Sequence, residues 1–103
     1  MLNQVLMVGR LVAKPIVKEN ENGKKVSEIT IAVPRSFKNA EGIYETDFIK
    51  CTLWNDIAEN KVEYCNKGDL ISVKGRLQCL GGNELQVVAE KVVFLSNYKN
   101  KEE

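Results

Sequence analysis

Thr46-Asp47-Phe48-Ile49-Lys50-Cys51-Thr52-Leu53-Trp54 is followed by a stretch of quite different rhythm, Asp56 through Asn66. In the first stretch apolar side chains recur every second residue. Alternate residues of a strand point to opposite faces, so Ile49, Cys51 and Leu53 form one row and Phe48, Lys50, Thr52 and Trp54 the other. In the second stretch Ala58, Val62 and Cys65 recur at helical spacing, with Ile57 and Tyr64 flanking the stripe. Asp56 followed by Glu59 fits a capping box, and Gly68 fits a C-terminal stop. A strand that hands over to a single helix is the hinge on which the fold reading turns.

Outward from this hinge the chain reads almost entirely as strands. Residues 2–12 are apolar on both parities, with Val5 and Met7 on one and Leu6 and Val8 on the other. Such a strand needs cover on both faces. Its inner face suits the domain core; its outer face is left to a second subunit or to a helix or loop of the same chain. Pro15 bends or interrupts this strand, and Asn20 to Lys24 reads as a turn. Residues 26–34 alternate, with Ile29, Ile31 and Val33 inward, and Pro34 is expected to end that strand. Residues 35–45 read as a polar loop or protruding hairpin around Asn39 to Gly42. Strand four covers 70–78, Gly81-Gly82-Asn83 makes a tight turn, and strand five covers 84–95. The expected fold is all-β: a five-stranded OB-fold Greek-key barrel with one α-helix between strands 3 and 4. Residues 1–96 would form the domain and 97–103 a short, polar, disordered tail.

Composition narrows the function. The chain has 103 residues, a length suited to one domain, and a formal net charge of +1. A polyanionic partner would therefore require positive charge gathered on one face. Three widely spaced cysteines, Cys51, Cys65 and Cys79, make no disulfide framework and read as reduced, mostly buried thiols of a cytosolic protein. With no histidine and no CxxC pair, no metal site and no cofactor is expected. Asp47, Asp56 and Asp69 sit where caps and turns need them, and no nucleophile has a base beside it, so no enzyme is expected. Nothing at the N-terminus resembles a signal peptide, and no apolar run is long enough for a membrane span. The expected location is the cytoplasm, with the nucleoid.

The outer row of residues 46–54 carries the functional signal. It has an aromatic at each end and a lysine between. A base stacked on an aromatic ring gains roughly 1–3 kcal/mol whatever its identity, and a cation one step along neutralises a phosphate. Arg35, Phe37 and Lys38 repeat the pattern in the adjoining loop. Lys74 and Arg76 lie on the outward row of strand four, and Arg10 lies near the end of strand one. In the competing structural reading, Phe48 and Trp54 pack under the 35–45 segment or against the helix.

The chain resembles the bacterial single-stranded DNA-binding proteins. The resemblance runs through Met1-Leu2-Asn3-Gln4-Val5, Val8-Gly9-Arg10-Leu11, Ile31 to Asn39, Asp47 to Trp54, Ala58-Glu59-Asn60, Tyr64-Cys65, Lys67-Gly68 and Val73 to Gln78. It implies sequence-independent binding and protection of single-stranded DNA in replication, recombination, repair or DNA uptake. It also implies a homotetramer, with a dimer as the lesser assembly, that pairs subunits through the first strand. Phe37, Phe48 and Trp54 would stack bases. Arg10, Arg35, Lys50 and Arg76 would follow the phosphates, joined by Lys38 and Lys74, with Thr52 in the same row. The segment between strands four and five is shorter than in the family and has no aromatic. The end, Lys101-Glu102-Glu103, lacks the flexible linker and apolar acidic tip that recruit repair enzymes, so that role is not carried over. Lys14 and Pro34 stand where the family has other polar residues. Two other functions fit an OB barrel: a protein-interaction module of a primosome type, and an RNA-binding domain.

Overall fold

The computed structural model describes residues 1–55, 58, 65–79 and 81–97. Its strands are β1 (Val5–Leu11), β2 (Val17–Glu19), β3 (Lys25–Lys38), β4 (Tyr44–Trp54), β5 (Leu70–Cys79) and β6 (Leu85–Ser96). They run in the order β1-β5-β6-β4-β3-β2, and a further β1–β3 pairing closes the sheet into a five-stranded barrel with β2 on its rim. The fold is the expected all-β barrel. The helix read over 56–66 falls mostly outside the described residues. So does the tail beyond Asn97.

Closure depends on two places where backbones come very close. β1 pairs along β5 from Val5 to Arg10 and reaches β3 through Arg10 and Leu11. At the crossing, a Cβ on Gly9 would lie 2.6 Å from the Ala32 carbonyl oxygen. At Gly75 it would lie 2.2 Å from that of Val88. Only a residue without a side chain fits either contact. The Gly75 contact coincides with a register shift between β5 and β6, which sharpens the coil of the sheet.

The inward rows read for 26–34 and 46–54 supply Ile29, Ile31, Cys51 and Leu53 to the interior, whereas Leu77, on the same face of its strand as Ile71 and Val73, is exposed. Ile29, Ile31, Cys51, Leu53, Ile71, Val73, Val87, Ala89 and Val92 are buried, with Leu11, Ala58 and Cys65 packed among them. Ala58 and Cys65 are the two described members of the helical stripe, and both are buried. A fully buried Ile31 or Leu53 side chain contributes roughly 1.5–3 kcal/mol. Burial pushes the Cys51 thiol up to about 12, which makes it a packing residue without nucleophilic character. Cys65 is also pushed up, by burial and by the nearby charge of Asp69. Cys79 alone of the three is exposed.

Pro15 does interrupt the first strand. β1 and β2 flank it, and both pair with the same edge of β3, at Ile31–Ala32 and at Lys25–Ser27 respectively. Pro34, by contrast, does not end its strand: β3 continues to Lys38. Beyond Ala32 the far edge of β3 carries no partner strand, which is the setting in which a strand tolerates proline. Residues 35–45 are accordingly strand for most of their length, forming an arm that closes at Asn39–Gly42. Its turn repeats the chemistry of the turn at Asn20. In each, the asparagine Oδ1 accepts hydrogen bonds from the backbone N–H groups two and four residues on. In each, a glycine three residues on, Gly23 or Gly42, takes the positive φ.

Candidate nucleic-acid interface

The outer face of β4 is open. Phe48 is 66% exposed and Trp54 40%, with exposed Lys50 between them on the same parity. The structural alternative, rings packed under the chain's own loop, therefore does not hold for Phe48. Beside this row lies a groove of about 410 Å³, lined by Phe48, Lys50, Leu77, Glu84, Leu85 and Gln86 among others. One wall is thus the β5–β6 hairpin, whose Leu77 and Leu85 are exposed apolar side chains that the sequence reading does not select. They escape notice because nothing in their local pattern shows that the β5–β6 hairpin leans towards β4.

Thr52 departs from expectation. It belongs to the outward row, yet it is only 6% exposed. Its hydroxyl donates to Gln86 Oε1 at 2.6 Å, and Gln86 Nε2 donates to Glu28 Oε2 and Glu84 Oε1, each at 3.3 Å. β6 pairs with β4 at Cys51 and Thr52, so Gln86 comes to lie over the threonine. The result is a polar cross-link over β3, β4 and β6 that takes Thr52 out of the accessible surface and gathers two carboxylates around the Gln86 amide.

The cations divide into those already engaged and those free. Arg35 Nε donates to Asp47 Oδ2 at 3.1 Å, its Nη2 to Asp47 Oδ1 at 2.9 Å and its Nη1 to Glu45 Oε1 at 2.7 Å. The Asp47 hydrogen bond and charge hold the guanidinium above its ordinary range, and the Arg35 hydrogen bond holds the Asp47 carboxyl below its own. One cation and two carboxylates leave this cluster net negative, so Arg35 offers no unspent charge. Arg76 pairs with Glu90 at 3.3 Å. Arg10 shares the outer face with Phe48 through the cross-strand pairs Arg10–Ala32 and Ala32–Phe48, but its Nη1 donates to the Gly68 carbonyl at 2.9 Å. Lys74 is placed elsewhere, opposite Leu6 on the outer face of β1 and β5, in a depression with Leu2 and Gln4. Phe37 and Lys38 lie on the arm, and Phe37 is exposed. Among the described residues, Lys50 and Lys74 make no ion pair.

Residues 2–95 match the model of the single-strand binding protein family. The chain belongs to that family. Among its curated relatives, the Bacillus subtilis single-stranded DNA-binding protein B is 50% identical over 76% of this chain and 69% of its own length. Single-stranded DNA-binding protein 3 of Listeria innocua is 40% identical over 97% of this chain and 68% of its own. The solved structure of a deletion mutant of the Thermus aquaticus single-stranded DNA binding protein superposes with a TM-score of 0.76 at 29% identity. That match covers 92% of this family member but only 51% of the Thermus chain, about half its length.

Proposed function

We propose that this chain binds and protects single-stranded DNA without sequence preference, by stacking bases on Phe37, Phe48 and Trp54 and by neutralising phosphates with Lys50 and its neighbours. The observation that carries this reading is the open row of β4, where exposed rings flank a free lysine beside a groove. Exposed aromatics are unfavourable in water unless a partner covers them. Single-stranded nucleic acid supplies flat apolar faces for the rings and negative charge for the ammonium at once. Membership of a family whose relatives carry this activity in their names supports the same conclusion.

Binding involves no chemistry on the polynucleotide, and residues 1–96 act as one binding domain. The protein works in the cytoplasm on single strands exposed by replication, recombination, repair or DNA uptake. It assembles through the outer face of β1, towards a homotetramer. Leu6 is 73% exposed, Val8 is two residues further along β1, and Val93 lies across β5 from Val8 through Ser72, an aliphatic surface that a second copy would cover.

Trp54 is the sole tryptophan, so its fluorescence reports on the proposed surface directly. Titration with oligo-dT at low salt should quench it to saturation. Unchanged emission together with no retardation of labelled oligo-dT would overturn the reading. Competition by matched oligo-U as strong as by oligo-dT would move the assignment to RNA, since the 2′-hydroxyl distinguishes the two.

A further inference from the structure

The outer row of β4 does not stop at Phe48. With residues 35–45 set apart as a polar loop or protruding hairpin, the row ends at Thr46; in the structure β4 begins at Tyr44. Tyr44, Thr46, Phe48, Lys50, Thr52 and Trp54 share one parity. A register shift does interrupt the ladder here, but it lies wholly on the other strand. From Pro34 to Lys38 is four steps, opposite only two from Thr46 to Tyr44. The alternation of β4 is therefore unbroken, and Tyr44 stays on the face that carries Phe48. It lies about 13 Å further along, at roughly 3.3 Å per residue.

Three observations make Tyr44 more than a solvated side chain. Its ring is 56% exposed at the base of a tight turn. Lys38 is its cross-strand partner, with Nζ 5.7 Å from the ring centroid. That distance lies within cation–π range and puts a positive charge beside the aromatic, as Lys50 is beside Phe48. The arm is also held in place. Where the ladder slips, Arg35 spans the two strands with its three hydrogen bonds to Glu45 and Asp47. Asn39 closes the turn beyond. A ring on a braced arm loses little freedom when a base lands on it.

We propose that Tyr44 is a further base-stacking station, with Lys38 as its phosphate partner, so that the single strand continues from Phe48 out along the β3–β4 arm. This rests on the reading of the β4 face as the single-stranded DNA surface. In that arrangement Arg35 braces the arm, and its charge is spent on Glu45 and Asp47.

The test uses the full chain and oligo-dT carrying 5-iododeoxyuridine at successive positions. Irradiation of the complex should give crosslinks that map to Tyr44 as well as to Phe48 or Trp54. Tyr44→Ala should weaken oligo-dT binding between about fivefold and about 150-fold, the range of one lost stack, with an unchanged melting midpoint. Tyr44→Phe should bind as the parent does, because the ring and not the hydroxyl makes the contact. Crosslinks at Phe48 or Trp54 but none at Tyr44 would overturn the proposal and leave the wider reading standing. Wild-type affinity in Tyr44→Ala, or equal losses in Tyr44→Phe and Tyr44→Ala, would overturn it as well. If the unaltered protein neither crosslinks nor quenches with any oligonucleotide, the DNA-binding reading itself fails and takes this extension with it.

Discussion

Two of the apolar rows that the barrel exposes differ in kind. On β1 the outer side chains are aliphatic: Leu6 and Val8, with Leu2 just before the strand. Lys74 is the cation opposite Leu6. On β4 the outer side chains are rings set either side of Lys50. Aliphatic groups gain most from being closed off by another close-packed apolar surface. Rings beside cations gain from a partner that is flat and charged at once. Equal exposure therefore does not mean equal use. The β1 face suits a second copy of the chain, and the β4 face suits a polynucleotide.

Substitutions that exchange the properties of the two rows test this division, and the largest effect is expected on β1. Leu6→Lys would place an unpaired charge in the proposed subunit contact, a desolvation cost of several kcal/mol. Sedimentation should then show a smaller species at concentrations where the parent is assembled. If the mass is unchanged, the β1 face is not the contact. Next comes Phe48→Ala, which should cost roughly 1–3 kcal/mol of oligo-dT affinity while leaving the sedimentation profile alone. A change in mass without a change in affinity would reverse the assignment of the two faces. Lys50→Ala should act more gently. The dependence of log affinity on log salt should flatten by about 0.7, the share of one phosphate contact on a single strand, with base preference unaltered.

The smallest expected effect concerns the brace behind the β4 row. The Arg35 hydrogen bond holds the folded-state pKa of Asp47 below its ordinary 3.8. A depressed carboxyl pKa stabilises the fold above the unfolded value, and that contribution is lost as pH falls through the folded value. The difference in melting midpoint between the parent and Asp47→Asn should be constant near neutrality and close as pH drops below 3.8. Because the pair is exposed, the difference should be small at every pH. A difference that does not change with pH would show that Arg35 and Asp47 are not paired in solution.

Much of the site is visible in the order of residues. The inward row Ile49, Cys51, Leu53 and the outward rings Phe48 and Trp54 follow from strand alternation alone. Both asparagine turns follow from local chemistry. What is not visible depends on which strand lies alongside. Nothing near Thr52 says that Gln86 will fold over it. Nothing near Arg35 says that Glu45 and Asp47 will occupy its guanidinium, or near Arg10 that the Gly68 carbonyl will. Lys74 shares its parity with Arg76, yet its cross-strand neighbour is Leu6 of β1 and not a residue of the β4 row. Tyr44 is obscured for a different reason. Proline, asparagine and glycine leave 35–45 open between a polar loop and a protruding hairpin and set Pro34 as the strand's end, although an unpaired edge on β3 lets the strand continue through it.

Sequence alone, then, determined the faces: which side chains enter the barrel, which leave it, where the chain turns, and that aromatics and cations share one outward row. These are properties of a single strand, set by the two-residue period of the backbone. Tertiary structure decided which of those cations are free, which outward residue is covered, and how far the aromatic row extends. These depend on cross-strand register and on charges brought together from residues far apart in the chain, and local patterning carries no record of either.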